Sequence, residues 1–304
     1  MLFFSVKKVQ SGFMPDICFL ENNGRGQAPP LRKIFVGAYC NYFFILHLYH
    51  FPRNNKNMID TITFDLWNTL IYFSPEDNIK FKNKRIEGFI EILNQKGVNL
   101  SREEMEKAYD ESSERYKPIR EREEDISTRE QVQIILDCLG TPGFKEFDEE
   151  VLNKLEEVLA TQILTELPAL AEGSNEILTC LHQKNYKIGL ICNTGRTPGK
   201  VLREVLKRKN IFQLFKVLTF SDEVRIRKPN PQIFITTLES LNSSPASSLH
   251  VGDLLESDIL GAKRCGMKTG WICPDRDGCQ IDFLPEQRPD FILPNLASIK
   301  KILR

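Results

Sequence analysis

The stretch Asp60-Thr61-Ile62-Thr63-Phe64-Asp65-Leu66-Trp67-Asn68-Thr69-Leu70, DTITFDLWNTL, decides how this chain is read. Residues 59–65 are β-branched, aromatic and apolar, which predicts a buried strand ending at Asp65. A polar turn through Asn68 and Thr69 follows. A carboxylate in the loop after such a strand is held at a pocket mouth by rigid scaffold. Phosphate-handling enzymes can use that carboxylate as a nucleophile and usually add a second acid two positions on. Trp67 stands there instead, and an indole cannot serve as a general acid.

Working outward, the pattern from Met58 onward is α/β. Residues 78–167 hold no convincing strand. They carry long charged segments of helical period, such as SREEMEKAYDESSERY (101–116) and EEVLNKLEEVLATQILTEL (149–167). Pro118 and GTPG (140–143) are expected to divide them into separate helices. The charge run over 102–130 reads as the solvated face of these helices. Strands and helices then alternate: YKIGLIC (186–192), TPGKVLREVLKRK (197–209), FKVLTF (215–220), NPQIFITTLESL (230–241), SLHVGD (248–253), DILGAKRCG (258–266) and KTGWI (268–272). Alternation of this kind predicts a parallel sheet wrapped by helices, with ligands at the carboxyl ends of the strands.

Residues 1–57 differ from the rest. ENNGRGQAPP (21–30) is loop-like, and residues 34–51 lack Lys, Arg, Asp and Glu after Arg32-Lys33. Three readings stay open: a poorly structured extension with Met58 as the working start, a weak membrane anchor, or a structured accessory element. Met58 stands just before the first strand, which favours the extension, and Asn41, His47 and His50 count against a membrane span. The 41 basic and 41 acidic side chains balance, so nothing suggests bulk attraction to nucleic acid or to an anionic membrane. The four His show no metal-ligand spacing. The eight Cys form no C-x-x-C pair, and Cys273 and Cys279 have no matching pair elsewhere, which argues against zinc. They read as free thiols in a reducing, cytoplasmic setting.

Four short stretches fall where strands end. Asp65 closes the first. ICNTG (191–195) offers small hydrogen-bonding groups, and RIRKPNP (225–231) places Lys228 at the start of a helix. GDLLESD (252–258) sets Asp253 and Asp258 about one helical turn apart, a pairing that suits Mg²⁺ together with a phosphate oxygen. Each is common alone, an Asp after a strand being often a helix cap and a Lys before Pro plain surface. Together and in this order, the chain resembles the haloacid dehalogenase superfamily of hydrolases, mostly Mg²⁺-dependent phosphatases. The resemblance spans residues 59 to about 300 and is carried by FDLWNTL, LICNTG, RKPNPQIF and HVGDLLESDILGAKRCGM.

That resemblance implies a Rossmann-like α/β core over 58–75 and 172–304, with an all-helical cap inserted over 76–171. It implies Asp65 as the nucleophile and Lys228 as the cation steadying both nucleophile and phosphoryl group. Thr69 would shape the turn, and Cys192, where the family has Ser or Thr, would bind phosphate with help from Asn193. Mg²⁺ would be held by Asp65, Asp253, Asp258 and the main-chain carbonyl of Trp67. Two departures matter. Trp67 replaces the family's general acid, a function worth roughly 10²–10⁴ in rate, and the Cys192 thiol is a weaker donor than a hydroxyl. The bland reading of Trp67 is a packing residue between cap and core. Three functions follow from the resemblance: a phosphohydrolase acting on small phosphorylated or activated substrates, with Glu76 or Asp77 as substitute acids; a metal-free 2-haloacid dehalogenase, whose leaving halide needs no proton; or a binding module that has lost catalysis.

Overall fold

The computed structural model describes residues 5–8, 18–21, 58–140, 147–273 and 282–303. The chain divides into two units, residues 1–53 and 54–304. In the first, β1 (Ser5–Lys8) pairs antiparallel with β2 (Cys18–Glu21). The rest of residues 1–57, including the uncharged run 34–51, lies outside the described residues. Among the described residues, no helix is long and apolar enough to cross a membrane.

In the second unit, β3 (Thr61–Phe64) is buried at every position. The chain then makes a tight turn, with Leu70 and Ile71 both donating to the Leu66 carbonyl and Asn68 at φ 57°. The short strands β4 (Ile71–Tyr72) and β5 (Ala169–Leu170) pair antiparallel and form the stem through which the chain leaves the sheet and returns. Strands β6 (Lys187–Cys192), β7 (Val217–Phe220), β8 (Ser248–Gly252), β9 (Lys268–Ile272) and β10 (Phe291–Leu293) complete a parallel sheet in the order β10-β9-β8-β3-β6-β7. The pattern of alternating strands and helices is thus borne out, with the added edge strand β10, which the sequence reading lacked. Its three residues are too few to stand out by composition. Successive side chains of β6 enter opposite faces: Leu190 joins the cluster of Ile62, Phe64 and Ile177, and Ile191 that of Ile233 and Phe234. With both faces covered, the strands read as continuous apolar runs.

Between β4 and β5 lie α1 (Pro75–Asn94), α2 (Arg102–Glu121), α3 (Thr128–Cys138) and α4 (Glu149–Thr161). The first three open on a Ser capping box, and Asp148 caps the fourth. These helices have their own apolar core, which includes Phe89, Met105, Ile135 and Leu155. Pro118 does not divide them. It sits in the last turn of α2, where it removes one intrahelical bond, to the carbonyl of exposed Glu114, and Pro118 itself accepts from the N–H of Arg122. After α3, Gly140 takes the left-handed conformation of a helix terminator, and residues 141–143 of GTPG lie outside the described residues.

The helical insert is fastened to the core at a second point. Asp125 N–H donates to the Arg225 carbonyl at 3.3 Å, and Arg227 N–H to the Glu123 carbonyl at 3.0 Å. The buried Asp125 carboxylate takes the Arg227 guanidinium at 2.8 Å and the Ser221 hydroxyl. Burial raises the Asp125 pKa, against the pull of Arg227. Beside it, Arg225 forks onto Glu130, the capping-box residue of α3, in an exposed pair. One cysteine departs from expectation. Cys138, Cys180, Cys192 and Cys265 are free thiols, but Cys273 is disulfide-bonded. Motif spacing counts neighbours along the chain, whereas a disulfide requires only neighbours in space.

The two fastenings should differ in strength. Arg227→Met strands a buried carboxylate, a loss of about 3–5 kcal/mol. Arg225→Met breaks a pair in which both side chains are nearly half exposed, at 47% and 45%, a loss of under about 1 kcal/mol. Urea unfolding of the two variants measures the difference, and equal losses would contradict it.

Candidate active site

The three central strands β6, β3 and β8 end side by side, and the residues that follow them meet. Asp65 follows β3, its N–H donating to the Val251 carbonyl of β8 at 2.9 Å. Asp253 follows β8, and Asp258 sits four residues after Leu254 in a π-helical turn, Leu255–Ile259. Oxygens of Asp65, Asp253 and Asp258 lie within 4.8 Å of one another. Lys228 enters from the segment after the short helix Ser221–Val224, its Nζ 2.5 Å from Asp65 Oδ1 and 2.6 Å from Asp258 Oδ1. Both of these pairs are buried.

Each group is braced. The Asn193 side chain clamps the Lys228 main chain, its Oδ1 accepting the N–H at 2.8 Å and its Nδ2 donating to the carbonyl at 2.9 Å. Asp258 Oδ2 accepts the Leu254 N–H at 3.0 Å, and Oδ1 lies 3.4 Å from His250 Nε2. The other nitrogen of that buried ring meets the Thr63 hydroxyl at 2.8 Å, and burial lowers the His250 pKa. Asp253 faces Thr69 Oγ1 at 3.5 Å and the Asn68 side chain, and its carbonyl accepts the Trp271 indole N–H at 2.8 Å. Gly252 leaves room for Asp258: a Cβ there would stand 2.3 Å from its Cγ.

The charges do not balance. Three carboxylates face one lysine. Burial first, then the neighbouring Asp258 and Asp253, push the Asp65 pKa up to about 7 against the pull of Lys228. Asp253 is pushed up to about 6 by burial and by Asp258. Although burial opposes its charge, Asp258 is held well below the usual carboxylate range by Lys228 and His250. Lys228, likewise opposed by burial, is raised by Asp258 and Asp65 and stays protonated. The donor set is all oxygen and carries excess negative charge, which fits a hard divalent cation.

The remaining predicted residues take distinct places. Cys192 is fully buried, and its Sγ reaches the Asn193 carbonyl at 3.6 Å. Burial, then the Asp65 charge, raises its pKa well above a free thiol's. Trp67 is half buried, its ring 5.9 Å from Phe73, which packs edge-on to Phe81 of α1 at 4.9 Å. Asp77 is engaged in the α1 capping box with Ser74, and Glu76 is exposed in the same first turn. Neither lines the cavity of about 310 Å³ that opens between Trp67, Asn193 and the helical insert. Sequence reasoning missed Asp125, His250, Arg85 and Arg120. His250 stands two residues before the GD of the fourth stretch, the one available signal; the others lie in helical surface sequence.

An acidic cluster with a buried lysine, at the carboxyl ends of a parallel sheet and beneath a helical insert, defines a class of α/β hydrolase. The sequence matches the haloacid dehalogenase-like hydrolase family over residues 59–266, and the chain belongs to that family. It is 31% identical over 131 residues to the glyceraldehyde 3-phosphate phosphatase of Pyrococcus furiosus, covering 43% of this chain and 53% of that protein. The chain spans about half the length of the curated relatives it matches. Its fold resembles a 2-haloacid dehalogenase from Pseudomonas syringae pv. Tomato DC3000, with TM-score 0.59, 20% identity, and coverage of 81% of this chain and 98% of that one. It also resembles a HAD phosphatase from Thermococcus onnurineus, with TM-score 0.52, 21% identity, and coverage of 81% and 98%.

Removing Lys228 tests the charge argument. Lys228→Met leaves the buried carboxylates without a cation and should cost about 3–5 kcal/mol near pH 8. Carboxylates whose folded pKa is raised destabilise the fold above that pKa, and the cost fades as pH falls through it. The deficit against the parent should therefore shrink between about pH 8 and about pH 5, as Asp65 and Asp253 take up protons. Urea unfolding at both pH values measures this, and a deficit independent of pH would reduce Lys228 to packing.

Proposed function

We propose that this protein is a Mg²⁺-dependent phosphohydrolase that acts through an aspartyl-phosphate at Asp65. The observation that carries the reading is the cluster of Asp65, Asp253 and Asp258 within 4.8 Å, with one buried lysine bridging Asp65 and Asp258. Asp65, Asp253, Asp258 and the Trp67 carbonyl would hold the metal. Bound there, Mg²⁺ would offset the excess carboxylate charge and that of the phosphoryl group. Asp65 attacks phosphorus as the ionised carboxylate, with Lys228 beside it steadying attacking and transferring oxygens. Asn193 holds the lysine in place. Cys192 stands at the family's phosphate-binding position, and Thr69 steadies Asp253 in the turn. The named phosphatase relative supports phosphate-ester chemistry.

The missing acid sets the substrate's leaving group. With an indole at position 67 and Asp77 engaged in a helix cap, neither of these positions supplies a proton to a departing alkoxide. Activated phosphates with weakly basic leaving groups, acyl or aryl, are the favoured substrates. Trp67 also favours a second reading, carbon–halogen hydrolysis, because halide leaves without a proton; Asp253, a third acid in the cluster, counts against it.

Hydrolysis of p-nitrophenyl phosphate and acetyl phosphate should require Mg²⁺, stop with EDTA, and fall at least about a thousandfold in Asp65→Asn. Halide release from 2-haloacids without metal, and no phosphate release, would overturn the reading in favour of the second. Trp67→Asp restores an acid at the missing position. It should raise the rate on ethyl phosphate relative to p-nitrophenyl phosphate, by up to the roughly 10²–10⁴ of general acid catalysis. An unchanged ratio would show that proton supply does not limit this site.

A further inference from the structure

Asp125 is a costly residue for a simple fastening. It is 3% exposed, in the stretch of the helical insert between α2 and α3. One carboxylate oxygen, Oδ2, accepts from the Arg227 guanidinium at 2.8 Å, from the Ser221 hydroxyl, and from Thr194 Oγ1 at 3.5 Å. The other accepts the Ile126 N–H at 2.9 Å. Ser221, itself fully buried, accepts the Thr194 N–H at 2.8 Å, and the Arg227 guanidinium also reaches the Thr194 carbonyl at 3.5 Å. Holding an insert on a core does not need this. A well-packed apolar contact of similar volume serves stability as well as a buried ion pair, and the exposed Arg225–Glu130 pair fastens the same two parts beside it. What converging, charge-assisted hydrogen bonds add is a fixed direction.

The direction matters because of what lies next along the chain. Asp125 grips residues 194 and 227. Their neighbours, Asn193 and Lys228, grip each other, the Asn193 amide holding the Lys228 main chain by both its N–H and its carbonyl. The loop after β6 and the segment after Val224 are therefore locked at adjacent positions, once within the core and once from the insert. We propose that Asp125 is a positioning residue, which from the helical insert fixes the two segments that aim Lys228 between Asp65 and Asp258. A single ammonium serving two carboxylates has little tolerance for displacement, because each contact depends steeply on its length and angle. The placement of Lys228 rests on this geometry alone, and its consequence for rate rests on the phosphohydrolase reading.

The test uses the full chain with ¹⁵N-labelled lysine. A buried, paired ammonium exchanges slowly with water and gives its own NMR signal, which Lys228→Arg identifies by deleting it. Asp125→Asn keeps the shape and removes the charge. It should broaden the Lys228 signal through faster exchange with water. It should also lower kcat on p-nitrophenyl phosphate with Mg²⁺ by about tenfold or more, while KM changes by less than about threefold. Ser221→Ala removes one donor and keeps the ion pair. It should act in the same direction with a smaller loss, and it carries the test if Asp125→Asn does not fold. Glu130→Gln loosens the exposed fastening and should leave the signal, kcat and KM as they are. A Lys228 signal unmoved in every folded variant at Asp125 or Ser221, or a KM that rises at constant kcat, overturns the proposal and leaves Asp125 a fastening. A signal that responds to Asp125→Asn in a chain that hydrolyses no phosphate keeps the positioning and removes the phosphohydrolase reading. Hydrolysis with an unresponsive signal does the reverse.

Discussion

The structure turns on one lysine placed between two aspartates. Lys228 is buried, and it is the cation around which three carboxylates can be packed at the end of a sheet. An isolated charge there would be prohibitively expensive. The surroundings therefore look like a set of answers to that cost. Asn193 fixes the lysine's main chain from both sides, and the π-helical turn returns Asp258 toward it. The absence of a side chain at Gly252 gives Asp258 its space, and His250 backs it. π-Helical turns are uncommon and concentrate at functional sites, where an extra residue re-aims a side chain. Here it lets Asp258 both cap the Leu254 N–H and reach Lys228.

The lysine and the helical insert are mounted on the same short segment. Arg225 and Arg227 hold α3 and Asp125 of the insert, and Lys228 follows directly. The strand-like pairing of residues 123–125 with 225–227 thus ties the helical insert to the segment that carries Lys228. The stem of β4 and β5 is the other tie, and it begins at the turn that carries Trp67 and Asn68. Both connections of the insert therefore run into the acidic site.

The α/β core was legible because its signals are local. Apolar runs, Pro and Gly breaks and acids after strands fixed the alternation, and the strand over 268–272 has the bounds its sequence suggested. The convergence of Asp65, Lys228, Asp253 and Asp258 followed from placing strand ends on one edge of a parallel sheet. What was not legible depends on distance in space. Asp125 lies in a charge run that reads as solvated surface, yet it is 3% exposed because Arg227, a hundred residues on, neutralises it. Pro118 reads as a breaker, but its place in a final turn makes it cheap. Asp77 reads as a spare acid near the nucleophile, but Ser74 three residues earlier makes it a cap.

Trp67, Arg85 and Arg120 belong to one account. A departing oxygen can be stabilised by a proton or by positive charge, and the two have different structural demands. A proton donor must sit within hydrogen-bond reach of the leaving oxygen with a matched pKa. Fixed guanidiniums act over a longer range and need no pKa matching. A site that lacks the donor is therefore not left without catalytic means if its leaving groups are already weakly basic or anionic. The indole is also consistent with this division. It keeps a charged carboxylate off a cavity wall that also includes Arg85 and Arg120. The replacement that looks like a loss in the motif leaves the lining of that cavity without a carboxylate among the described residues.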